Sequence, residues 1–146
     1  MLSLTSDYAL RAVLVLARAA DGAPMPADAI ADAIGAPRNY LGKTLNALAR
    51  AGLVRSARGP TGGYALAVAP EALSLARVVA VFDAPREDVR CLLGARPCDR
   101  ANPCAAHHRW TAIAEARRAP LASTMVADLL PDDVPLAPSA PLAEVG

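Results

Sequence analysis

Residues 37–66 read Pro37-Arg38-Asn39-Tyr40-Leu41-Gly42-Lys43-Thr44-Leu45-Asn46-Ala47-Leu48-Ala49-Arg50-Ala51-Gly52-Leu53-Val54-Arg55-Ser56-Ala57-Arg58-Gly59-Pro60-Thr61-Gly62-Gly63-Tyr64-Ala65-Leu66. Pro37 is a favourable first helical residue, because its missing N–H is one the helix could not use. Leu41, Leu45 and Leu48 fall at i, i+4 and i+7 and predict an inward-facing stripe. Arg38, Asn39, Gly42 and Asn46 make an opposite polar face. Gly42 costs a helix roughly 1 kcal/mol relative to alanine, a cost that close approach of another surface would explain. After Ala51-Gly52 the period changes. Residues 53–58 read as a strand, 59–63 as a glycine-rich turn, and Tyr64, Leu66 and Val68 alternate as the return strand.

Upstream, the stretch from Ser6 to Ala20 is apolar except for Asp7, Arg11 and Arg18, which share one face of a helix that Asp21-Gly22 should end. A second short helix is expected from about Pro26 to Ile34, with Ala27, Ile30, Ala31 and Ile34 at helical spacing and Gly35 as the stop. Three short helices followed by a glycine-tipped hairpin is the order of a winged helix-turn-helix. In that arrangement the third helix enters the DNA major groove and the hairpin flanks it. On pattern alone, a small α+β core with a solvated polar helix face fits equally well. Either way the fold is mainly α with a small β-wing.

Downstream, Leu75, Val78, Val79 and Phe82 predict a fourth helix over Leu73–Phe82. All three cysteines then fall in one short loop, at Cys91, Cys98 and Cys104, with His107 three residues beyond the last. Thiolates and an imidazole so grouped point to ligands of a metal or an iron–sulfur centre rather than to core filler. Asn102 and Pro103 are expected to open a long final helix carrying Cys104, His107, Trp110, Ile113 and Ala114 on one side. Cys104 would then lie in the first turn, where the helix dipole favours thiolate. His108 would point about 100° away, as a surface or supporting group. Pro120 should kink or end the helix, and Ser123-Thr124 could cap a last turn through Met125, Leu129 and Leu130. The expected organisation is a DNA-binding unit over 1–70, a cysteine loop and dimerisation helix over 71–130, and a disordered proline- and alanine-rich tail over 131–146.

Composition sets bounds. Apolar residues make up 54% of the 146, much of it alanine, with one Phe and one Trp, so the core is thin and a second copy would help it. No stretch approaches the roughly 18 apolar residues of a membrane span. The first residues lack the basic start and cleavage site of a signal peptide. A cytoplasmic location is expected, where cysteines serve as ligands or redox groups more often than as disulfide staples. Residues 1–70 hold seven Lys/Arg against four Asp/Glu, and residues 71–146 hold eight against ten. A basic front half suits nucleic acid.

Two stretches carry a family resemblance. Tyr40-Leu41-Gly42-Lys43, Leu45, Leu48, Ala51-Gly52-Leu53-Val54, Ser56, Arg58-Gly59, Gly62-Gly63-Tyr64 and Leu66 closely resemble the recognition helix and wing of the Rrf family of bacterial transcriptional regulators. Asp7-Tyr8-Ala9-Leu10-Arg11 looks like that family's opening helix, and the resemblance covers about residues 1–130. It implies a homodimer whose C-terminal helices pair and whose winged helices read a near-palindromic operator. It offers Arg38, Asn39, Tyr40 and Lys43 as base-edge and phosphate contacts. Arg58 corresponds to the family's minor-groove arginine, with Gly62 and Gly63 at the wing.

The same resemblance places a cluster at the cysteine loop. The spacing Cys-x6-Cys-x5-Cys-x2-His carries one residue more between Cys91 and Cys98 than the family's best-known patterns. His107 as fourth ligand implies a 2Fe–2S centre and is preferred. Asp7, supplied by the other subunit, implies a 4Fe–4S centre. The expected function is a DNA-binding repressor sensing redox, nitric oxide or iron–sulfur status. A thiol switch without metal and a zinc-stabilised regulator are the chemical rivals. An enzyme using Cys104 and His107 as nucleophile and base comes last, since no oxyanion site or third orienting group is apparent.

Overall fold

The computed structural model describes residues 2–83, 101, 103–131 and 135–136. Helix α1 spans Leu4–Arg18. The Ser3 hydroxyl caps it by accepting from the Ser6 N–H at 3.2 Å, which satisfies one of the donors a helix start leaves unpaired. Asp7 in its first turn complements the helix dipole. Helix α2 spans Ala27–Ile34 and ends at Gly35, whose left-handed backbone closes the helix as the sequence predicts. Helix α3 spans Arg38–Arg50. Strands β1, Val54–Ala57, and β2, Gly63–Leu66, form an antiparallel hairpin with Val54 opposite Leu66 and Ala57 opposite Gly63.

Leu41, Leu45 and Leu48 of α3 are fully buried, as the i, i+4, i+7 stripe predicts. Each side chain contributes about 1.5–3 kcal/mol by leaving water. They meet Ala9, Ala12, Val13 and Leu16 of α1, Ile30 and Ile34 of α2, and Leu53 and Val54 at the hairpin. This packing fixes α3 against the wing and leaves its polar face outward. The same cluster includes Leu73, Val78 and Val126, so one core runs across the expected boundary at residue 70.

Several elements are shorter than their sequence periods predict. The return strand ends at Leu66 rather than Val68, although the Ala67 N–H still donates to Leu53. Helix α4 spans only Leu75–Val79. Leu73 stays outside it because its carbonyl accepts from the Val126 N–H at 2.8 Å, while Leu75 donates to Thr124 at 3.0 Å. Backbone pairing with a distant segment therefore takes groups that a longer helix would use. At its far end the Val79 carbonyl accepts from both Phe82 and Asp83, which turns the chain.

Helix α5 spans His107–Ser123 and so begins four residues later than expected. Pro120 lies inside it rather than ending it. The helix closes after Pro120 through the Thr124 N–H, which donates to the Pro120 carbonyl at 3.0 Å. Val126–Leu129 then form a single 3-10 turn, and Asp128, rather than Ser123 or Thr124, caps it by accepting from the Met125 N–H at 2.8 Å. Beyond it, Leu136, within the expected tail, packs on the core, and its carbonyl accepts from Arg11 Nη1 at 3.1 Å. Among the described residues no helix is long and apolar enough to cross a membrane.

Candidate nucleic-acid interface and cysteine site

Between Asp32 and Glu71 the chain has no carboxylate side chain, while Arg38, Lys43, Arg50, Arg55 and Arg58 all fall there. That stretch is α3 and the wing. Asn39, Lys43 and Arg58 are exposed, and among the described residues neither Lys43 nor Arg58 has an ion-pair partner. Cations such as these two attract the phosphate backbone, because binding releases counter-ions from it.

The remaining candidates on α3 are engaged within the protein. Tyr40 packs edge-on against Tyr8 of α1, ring centroids 5.7 Å apart, and its hydroxyl bonds to that of Thr5. Its ring thus ties α3 to α1 while 39% of the residue stays exposed. Arg38 Nη2 donates to both oxygens of Asp32 at 3.2 and 3.1 Å, and Nη1 lies 3.5 Å from Asp28.

Gly62 and Gly63 shape the wing. A Cβ on Gly62 would lie 2.3 Å from the Ala57 carbonyl oxygen, and one on Gly63 would lie 2.2 Å from that of Met25. The second approach exists because Met25 and Tyr64 exchange two backbone hydrogen bonds of 2.8 Å. That bridge pins the wing to the segment before α2. The Tyr64 hydroxyl also donates to Asn46 Oδ1 at 2.8 Å, joining wing and α3 directly. Sequence reasoning placed Asn46 on the polar face but gave no hint of this partner, which lies in another element.

A second unanticipated group is Asp83. Its Oδ2 accepts from the Ser3 N–H at 3.0 Å and from the Ser6 hydroxyl at 2.7 Å. Partial burial raises its pKa, but these hydrogen bonds outweigh burial and leave it below the ordinary aspartate value. Asp83 therefore fastens the end of the α4 turn to the first turn of α1.

Of the cysteine-loop residues, Cys91 and Cys98 lie outside the described residues, as does Asn102. Cys104 and His107 are both half-buried. The His107 N–H donates to the Cys104 carbonyl at 2.9 Å, so one tight turn holds the two residues together at the foot of α5. Cys104 precedes the helix instead of sitting in its first turn. It stands two residues before the N-cap Ala106, still at the positive end of the helix dipole. His108 is exposed, as expected of a surface group. Asp7 is bound by Arg11, whose Nε and Nη2 donate to its two oxygens at 3.2 and 3.0 Å. Among the described residues no three His, Cys, Asp or Glu side chains converge as a metal site.

A three-helix head, a two-stranded wing and a basic surface on α3 and the wing define a winged-helix DNA-binding regulator. Known proteins say the same. Residues 2–132 match the Rrf2 family, described as an iron-dependent transcriptional regulator. An HTH-type transcriptional regulator of Mycobacterium tuberculosis is 36% identical over 129 residues, covering 88% of this chain and 80% of that one. The structure is similar to CymR, the global cysteine regulator of B. subtilis, with TM-score 0.76 and 28% identity over 90% of this chain and 96% of that one. It is also similar to T. potens IscR, with TM-score 0.74 and 25% identity over 90% of this chain and 87% of that one. The chain belongs to the Rrf2 family of transcriptional regulators and is not an enzyme.

Proposed function

We propose that this regulator is a cytoplasmic homodimeric repressor, reading a near-palindromic operator and sensing redox, nitric oxide or iron–sulfur status through a cluster held by Cys91, Cys98, Cys104 and His107. The observation that carries the sensing part is the turn that brings Cys104 and His107 together at the foot of α5. A soft thiolate and an imidazole are a donor pair suited to iron–sulfur ligation. Asp7 fits the fourth position less well, since Arg11 occupies both of its oxygens. When bound, such a cluster supplies an assembly whose thiolate bonds are lost on oxidation or nitrosylation.

The chain's own residues connect that loop to DNA. Asp83, which precedes the loop, bonds to the start of α1 through Ser3 and Ser6. Thr5 and Tyr8, on the same turns of α1, touch Tyr40 of α3. A change in the loop that moves Asp83 would therefore shift the seat of the recognition helix. In a two-fold dimer a small reorientation misaligns one half-site and lowers operator affinity. The exposure of Asn39 and Lys43 on α3 and of Arg58 at the wing supports their reading as base or phosphate contacts.

The likeness to CymR, which is also solved from Staphylococcus aureus in an oxidised form, supports a second reading, in which the same cysteines act as a metal-free thiol switch or bind zinc. Purification without oxygen separates these readings. The cluster reading expects a coloured protein containing iron and sulfide, and a Cys104→Ala variant without that colour. Colourless, iron-free wild type sinks it. Separately, Arg58→Ala should weaken footprinting of the target DNA about tenfold at fixed salt, and unchanged protection would remove Arg58 from the interface.

A further inference from the structure

Arg38 opens the helix proposed to read DNA, yet two aspartates of α2 already hold it. Asp32 accepts from Nη2 with both oxygens, at 3.2 and 3.1 Å, and Asp28 Oδ2 lies 3.5 Å from Nη1. The side chains are 58% exposed for Arg38, 66% for Asp28 and 64% for Asp32. Ion pairs so exposed stabilise a fold very little. Asp28 and Asp32 are also four residues apart on one helix, where like charges repel. Stability gives a reason for Asp28, in the first turn of α2 where the helix dipole favours a carboxylate, but none for Asp32 or for the pairing with Arg38.

Position gives one. In a helix-turn-helix the first helix of the pair crosses the sugar–phosphate backbone, while the start of the second faces base edges. The trio carries two negative charges against one positive, so it repels phosphate on balance. An arginine in such a group is a poor phosphate clamp. Its guanidinium plane is nevertheless fixed by its terminal nitrogens, and its Nε–H has no acceptor among the described residues.

We propose that Asp28 and Asp32 are specificity-determining residues. They orient Arg38 for a base edge, the guanine N7/O6 pair that best fits a planar donor, and they penalise phosphate-driven binding to other sequences. Specificity is a difference of affinities, and repulsion against wrong sites raises it as surely as attraction to the right one. The inference rests on the reading of α3 as the recognition helix. It adds the α2 carboxylates, which no acid-free basic surface would call for.

The test uses the full chain and a pool of randomised duplex DNA at fixed salt, with sequencing of the enriched fraction. Wild type should enrich a motif. Arg38→Ala should lose about tenfold preference at one base pair per half-site. The double variant Asp28→Asn with Asp32→Asn should flatten that same position and bind unrelated duplex several-fold more tightly. Adding Arg38→Ala to it should cost no further preference there, while Asp32→Glu, which keeps the charge, should retain it. A purely structural pair would not move a single base position. If the aspartate variants keep the full preference, or bind unrelated duplex more weakly, the inference is overturned and the recognition-helix reading stands. A wild-type chain that enriches nothing overturns both.

Discussion

The winged head and α5 differ in where their order comes from. In the head, α1, α2, α3 and the hairpin share one core, and Leu41, Leu45, Leu48, Ile30 and Ile34 are all fully buried. In α5 no residue is buried, and Ile113 is 58% exposed. His107, Trp110, Ala114 and Leu121 form a half-covered face at helical spacing, and α5 meets the head through α4. The head is therefore held by a closed core, which Leu73, Val78 and Val126 complete from beyond the wing. The helix next to the cysteine loop depends on what lies against it. In the sensor proposed above, that split would let a weakly held element act on a firmly packed reader.

The sharpest way to break this comparison is a pair of truncations. Leu45→Ala should cost about 2–5 kcal/mol in urea unfolding, the transfer and cavity terms of a closed core. Ile113→Ala should change unfolding by less than about 0.5 kcal/mol at low protein concentration. It should instead weaken self-association in sedimentation. Equal destabilisation by the two variants at every concentration would show that α5 is part of the head's core.

A smaller effect sharpens the account of the wing. Gly63→Ala should destabilise by about 1–3 kcal/mol, since φ is +145° and the added Cβ meets the Met25 carbonyl. Loss of DNA affinity should follow from the displaced wing. A variant with wild-type stability would mean that the bridge from Met25 to Tyr64 yields easily.

The smallest effect concerns the fastening of the α4 turn to the start of α1. Asp83 has a lowered pKa in the fold, so it binds a proton less readily there than in the unfolded chain. Its contribution to stability is present above about pH 4 and declines as the pH falls through and below that value. Asp83→Asn should reduce this acid-dependent part of the unfolding curve and leave the neutral-to-basic part parallel to wild type. An unchanged acid limb would assign the acid sensitivity to another carboxylate.

The head was largely legible in the sequence because its signals are local. The stripe of Leu41, Leu45 and Leu48, the stop at Gly35 and the glycine-tipped hairpin each act within a few residues, through helix period and backbone freedom. Resemblance added what these could not, the expected position of a DNA-reading surface. The start of α5 was misjudged because Asn102-Pro103 is a good local start signal, while the turn at Cys104 and His107 begins the helix later.

By itself, then, the sequence determined the winged head, its basic face and the grouping of all three cysteines beyond it. The tertiary structure alone decided which polar groups meet. Asp83 reaches Ser3 across 80 residues, Tyr64 reaches Asn46 across 18, and Tyr40 turns toward α1 rather than wholly outward. No periodicity encodes such pairings. They exist because core packing brings distant elements together, and a polar group at their border gains most by finding the partner already there.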